Sequence, residues 1–218
     1  NGKLGLYGFS YQGFTQLTGE SNSKPPDCLS PAMTGINIKD HWCSDGGAYW
    51  WHNNIAWGLQ ITALKMKRDN NFAGWEEIRL ALENKSYLRD GLDILKKYDP
   101  NSFVLEWLKN LNNGIPFEEF KPISTWIKQP MLIIGGLWDP HLKGAFDLYK
   151  KSVEAGGSPE IIIGNATHLN WWEGSQESLL KFFDKYLKFD KEINSEESQR
   201  EKKIWNISLN KWEELDNK

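Results

Sequence analysis

The sequence predicts an α/β protein in which a parallel sheet with crossover helices is interrupted by a helical insertion. Three features carry that prediction. Apolar, strand-like runs alternate with amphipathic helical stretches at both ends of the chain, the pattern of a parallel sheet. A serine sits on a glycine-flanked corner in LGLYGFSYQGFTQ, residues 4–16. The middle of the chain has helical periodicity and no convincing strand.

Taken in order, KLGLY (3–7) reads as a short buried strand running into Gly8, followed by a helix from Tyr11 to about Glu20. After the polar turn SNSKPPD, the segment CLSPAM (28–33) is strand-like but broken by Pro31. Between Lys39 and Trp126 the pattern favours helices over 47–67, 74–89 and 102–111. Strand character returns in PMLIIGGLW (130–138), and HLKGAFDLYKKSVEAGG (141–157) then reads as a helix stopped by glycine. EIIIGNA (160–166) is another strand. In 175–188, Leu179, Phe182, Phe183, Tyr186 and Leu187 fall at i, i+3, i+4, i+7 and i+8, an amphipathic helix. A charged stretch over 190–203 reads as a linker, and KIWNISLNKWEEL begins something new and strand-like.

Composition narrows the partners. The 218 residues contain 12 Trp, 10 Phe and 7 Tyr, ample material for a core, and a net charge of −3. That charge gives no reason to expect nucleic acid or an anionic membrane as a partner. No apolar run reaches the ~18 residues needed to span a bilayer. Cys28 and Cys43 are too few for a disulfide framework and form no C-x-x-C pair. Asp40, His41, Cys43 and Asp45 cluster in sequence, but at a spacing that matches no metal-ligand pattern. No metal or cofactor is expected.

Nucleophilic serine chemistry needs an exposed hydroxyl on a rigid corner, a neutral imidazole within reach, and a carboxylate that holds the imidazole in the right tautomer. Gly8-Phe9-Ser10 at a strand-to-helix junction meets the first need. The corner also aims the Tyr11 backbone N–H and the helix dipole at any oxyanion formed there. The alternative is an ordinary turn with a capping serine. Asp139 comes at the carboxyl end of the strand at 131–135, where open parallel sheets place ligand-contacting residues. Followed by Pro140, it fits a helix N-cap equally well. His168 follows the next strand. The chain order Ser10, Asp139, His168 along strand ends is the α/β-hydrolase order. Among the other histidines, His141 is too near Asp139, and His41 and His52 fall in the helical middle. Trp138, Trp171 and Trp172 flank the acid and base and are expected to wall an apolar pocket. Trp42, Trp50, Trp51 and Trp57 read as core anchors of the insertion.

These segments together resemble the X-Pro dipeptidyl-peptidase (S15) family, which includes cocaine esterase-like acyl hydrolases. GFSYQGFTQ resembles the family's Gly-x-Ser-Tyr-x-Gly elbow. LSPAMTGINIKDHWCSDGGAYWW looks like its exit into a helical cap, and LIIGGLWDPHLKGAFDLYKK like its aspartate segment. IIIGNATHLNWW resembles the histidine segment, with Asn165 and Ala166 where the family usually has Pro-Trp. IWNISLNKWEELD resembles the opening of a C-terminal jelly roll. The resemblance implies Ser10 as nucleophile, Asp139 as orienting acid, His168 as base and Tyr11 N–H as one oxyanion donor. The family's second donor, a tyrosine hydroxyl from a loop upstream of the elbow strand, would precede Asn1.

The implied architecture is a partial α/β-hydrolase fold, with core over 1–38 and 127–190 and a helical cap over 39–126. Residues 191–218 would be a linker and the start of a C-terminal β domain. The family's earlier strands and most of the jelly roll would lie outside the sequence. The bare sheet edge is then expected to pair with a second copy or with an upstream half, and the isolated chain to be a feeble catalyst. The expected activity is hydrolysis of an ester or amide bond, on a small-molecule or peptide substrate, through an acyl-enzyme. Its rival is a non-catalytic remnant acting as an interaction module.

Overall fold

The computed structural model describes residues 2–18, 23–117, 122–188 and 201–215. In chain order the elements are β1 (Gly5–Phe9), α1 (Tyr11–Thr15), β2 (Cys28–Ala32) and a π-helical turn at Lys39–Cys43. The two-residue strands β3 (Ser44–Asp45) and β4 (Ala48–Tyr49) follow, then α2 (Trp51–Arg68), α3 (Phe72–Glu83), α4 (Tyr87–Tyr98), α5 (Phe103–Asn112) and α6 (Ser124–Ile127). The chain closes with β5 (Leu132–Gly136), α7 (Leu142–Glu154), β6 (Glu160–Gly164), α8 (Ser175–Leu187), β7 (Lys202–Asn206) and β8 (Lys211–Glu214). It divides into two compact units, one of Asn1–Asn37 with Phe120–Lys218 and one of Ile38–Glu119.

The first unit is built on a sheet of order β1-β2-β5-β6-β7-β8, parallel except for the last pair. Its strands β2, β5 and β6 are buried on both faces, which explains their near-continuous apolar runs. Leu29, Ile133, Ile161 and Ile163 point to one face, against Ala145 and Leu148 of α7. Cys28, Ala32, Leu132, Ile134 and Ile162 point to the other, against Phe182 of α8. Helices thus cover both faces, as in an α/β-hydrolase sheet.

Pro31 was expected to break β2, and the strand runs through it. The backbone N–H groups of Leu29 and Met33 donate to Pro130 and Ile134 at 2.9 and 2.8 Å. Pro31 lacks the N–H that would serve the Leu132 carbonyl between them. The buried Ser30 hydroxyl donates to that carbonyl instead, at 3.1 Å. A side chain next to the proline restores the missing rung, so the sheet stays continuous.

α7 lies close to the loop after β2. A Cβ on Gly144 would sit 2.5 Å from Gly35 Cα and 2.7 Å from the Thr34 carbonyl oxygen. Both are backbone atoms that cannot swing away. Gly144→Ala is therefore expected to destabilise the protein by roughly 1–3 kcal/mol, although alanine is the better helix former by about 1 kcal/mol. A lower urea midpoint at unchanged m-value would show it, and an unchanged midpoint would refute this packing.

Two boundaries differ from expectation. The helical unit ends before α6, whose Trp126, as well as Ile127, packs against the sheet's core with Met131 and Leu148. β7, expected to open a separate β domain, pairs in parallel with β6. The Ile161 N–H donates to the Glu201 carbonyl at 2.9 Å, and the Glu201 N–H to the Glu160 carboxylate at 3.0 Å. Trp212 of β8 then packs edge-on to Trp172. Most of the expected linker at 190–203 lies outside the described residues.

The second unit is helical, with a core of Ile55, Leu59, Ile78, Leu95 and Val104. The helix expected over 74–89 is two helices. Asn84 ends α3, and Lys85 takes a left-handed φ of 63°, which turns the chain into α4. α1 is shorter than expected, ending at Thr15.

Candidate active site

The carboxyl ends of β1, β2, β5 and β6 lie in register, Phe9 beside Ala32, Ala32 beside Ile134, and Gly136 beside Gly164. Ser10, Asp139 and His168 follow three of those ends, so sequence-distant residues emerge along one edge of one sheet.

Ser10 occupies the corner between β1 and α1 with φ 61° and ψ −135°, a region that costs a non-glycine residue roughly 1–3 kcal/mol. Its N–H is tied to the Ala32 carbonyl at 2.9 Å. The corner is tight. A Cβ at Gly8, which has φ 154°, would meet Gln12 Cβ at 2.9 Å, and one at Gly13 would meet the Ala32 carbonyl oxygen at 3.1 Å. The Ser10 side chain makes no capping bond to α1. Its hydroxyl lies 3.0 Å from His168 Nε2. At the start of α1, the Tyr11 N–H has no hydrogen-bond acceptor among the described residues.

His168 Nδ1 lies 2.5 Å from Asp139 Oδ2, in a contact whose carboxylate is fully buried and whose imidazole is about a quarter exposed (28%). Asp139 Oδ1 accepts the His141 N–H at 2.7 Å. Asp139 is not the N-cap of α7, which starts at Leu142 with His141 at the cap position. One carboxylate oxygen instead closes the turn before that helix, and the other faces the imidazole. The His168 ring is flanked by Phe9 at 5.6 Å and by the buried His141 at 5.3 Å between centroids. Trp171 Nε1 donates to the His168 carbonyl at 3.2 Å, and its ring meets Phe9 edge-on.

Trp171 and Trp172 stay together, stacked at 6.5 Å between centroids on the sheet face that Phe182 of α8 covers, while Trp138 stands apart. Trp171 lies against the imidazole's own backbone and Phe9. Trp138 is 59% exposed, and its Nε1 donates to Asn165 Oδ1 at 2.8 Å. Trp172 packs over Gly164, where an added Cβ would meet its ring at 1.9 Å. Phe9 and His141, which touch the imidazole, were not singled out as site residues. Phe9 is adjacent to Ser10, and that proximity was the available signal.

Other candidate groups are engaged elsewhere. His52 pairs with the Tyr87 hydroxyl. Burial pushes the Cys28 thiol up to about 12, helped by Asp27, and the Cys43 thiol up to about 11. Neither is a thiolate nucleophile near neutral pH. Among the described residues no group of three or more His, Cys, Asp or Glu could hold a metal ion. No described helix is long and apolar enough to cross a membrane.

Comparison with known families matches residues 1–170 to the family described as X-Pro dipeptidyl-peptidase (S15 family). A comparison with curated proteins finds no match.

Proposed function

Since the chain belongs to the X-Pro dipeptidyl-peptidase (S15) family of hydrolases, we propose that it is a serine hydrolase in which Ser10 is the nucleophile, His168 the base and Asp139 the orienting acid. The observation that carries this reading is the hydrogen-bonded series from Ser10 Oγ through His168 to Asp139, with spacings of 3.0 and 2.5 Å. As the Ser10 oxygen bonds to the substrate's carbonyl carbon, its proton passes to His168 Nε2. The carbonyl oxygen becomes an oxyanion facing the Tyr11 N–H. Collapse of this intermediate breaks the bond to the leaving group, which takes the proton from Nε2. Water then attacks the acyl-enzyme by the same route, releasing the acid and restoring Ser10. Asp139 stays ionised throughout and stabilises the imidazolium.

An ester with an apolar acyl group fits better than a peptide with a free amine. Phe9 gives the imidazole an apolar neighbour, and Trp171 backs Phe9 edge-on.

The test is intact-mass analysis of the folded protein after treatment with a fluorophosphonate, followed by peptide mapping. A single adduct on the peptide containing Ser10 is the expected result, with aryl esters turned over faster than X-Pro amides. A folded protein that takes up no adduct would overturn the hydrolase reading.

A further inference from the structure

The loops that carry Asp139 and His168 are joined beyond the ends of their strands. The β5–β6 ladder ends at Gly136 and Gly164, but its bonding continues. The Leu137 N–H donates to the Gly164 carbonyl at 2.9 Å, and the Trp138 N–H to the Ala166 carbonyl at 3.0 Å. The side-chain bond from Trp138 Nε1 to Asn165 Oδ1, at 2.8 Å, closes the series. Gly136 allows this approach, since a Cβ there would meet the Ala166 carbonyl oxygen at 2.5 Å. Trp138 immediately precedes Asp139, and Asn165 stands three positions before His168.

We propose that Trp138 and Asn165 form a clasp that sets the distance between Asp139 and His168, making both positioning residues for the reaction. The inference rests on the serine-hydrolase reading of the same site. Burial does not explain the pair, because Asn165 is exposed and Trp138 is 59% exposed. The ring's donor is instead used to grip the neighbouring loop. A short carboxylate–imidazole bond tolerates little movement of either loop, and misplacement of about 1 Å at a catalytic group can cost roughly a hundredfold in rate.

The experiment compares Asn165→Ala, Trp138→Phe, the double variant and Asn165→Asp. Asn165→Ala removes the acceptor, Trp138→Phe the donor, and Asn165→Asp keeps an acceptor oxygen in the same place. The readouts are the second-order rate of fluorophosphonate labelling, kcat and KM for an aryl ester, and the low-field proton resonance of the His168 Nδ1–H bonded to Asp139. Each single variant is expected to lose about tenfold or more in labelling rate and kcat at little change in KM, with a weakened low-field signal. The double variant should lose no more than the worse single one, because both break the same bond. Asn165→Asp should restore rate and signal.

Wild-type labelling rates in Asn165→Ala, or no rescue by Asn165→Asp, would overturn the clasp. A wild-type protein that does not label would instead refute the hydrolase reading, and the clasp is then decided by the low-field signal. Loss of that signal in Asn165→Ala supports the clasp, and its retention overturns it. Trp138→Phe keeps an exposed ring in place, so it carries the test if Asn165→Ala does not fold.

Discussion

Ser10→Ala is expected to lower kcat to background and to leave the fold intact. The side chain makes no capping bond to α1, and the backbone tie from Ser10 N–H to the Ala32 carbonyl survives the change. What disappears is the oxygen proposed to form the acyl-enzyme. His168 could then act only by directing water at the carbonyl, a slower route lacking a covalent intermediate. Steady-state turnover of an aryl ester by purified variant and wild type, with circular dichroism as the folding control, measures the loss. A variant keeping a tenth of wild-type activity would show that another group is the nucleophile.

Asp139→Asn is expected to cost about 10⁴ in kcat, in the range typical of losing the triad acid. The local bonding makes the direction firm. The His141 N–H needs an acceptor where Asp139 Oδ1 now stands, 2.7 Å away. An asparagine would turn its carbonyl oxygen toward that N–H and its amide NH₂ toward His168. Nδ1 of the imidazole must then accept, which puts the ring proton on Nε2, facing Ser10. An imidazole in that tautomer cannot take the serine's proton. kcat at saturating substrate, together with the low-field resonance of the Nδ1–H, would check this, and a loss smaller than tenfold would contradict it.

The parts of the site legible in the sequence are those with local causes. Gly8 and Gly13 around Ser10 mark a corner too tight for side chains, and Asp139 and His168 each follow an apolar run that could only be a buried strand. The apolar faces of α7 and α8 were readable for the same reason. What escaped depends on neighbours distant in sequence. The packing of Trp172 over Gly164 is set by the end of β6 and not by its own segment. The Trp138–Asn165 bond joins two loops, and neither loop's own residues announce it. β7 lies behind a charged stretch, and only its pairing with Ile161 and Ile163 reveals that it extends the same sheet. The break between α3 and α4 falls at Lys85, which adopts a left-handed conformation without the glycine that usually marks one. Pro31 misled in the opposite direction, since the Ser30 hydroxyl does the work of its absent N–H.

The backbone at Ser10 has a consequence for what selection can preserve. At φ 61° and ψ −135° a glycine would sit with far less strain, so pressure for stability alone would push this position toward glycine. A serine there is a choice the fold does not make for itself. Relaxed selection on chemistry would erode this position early, and the loss would leave the protein no less stable. On the serine-hydrolase proposal, folding and function thus pull in opposite directions at this one residue.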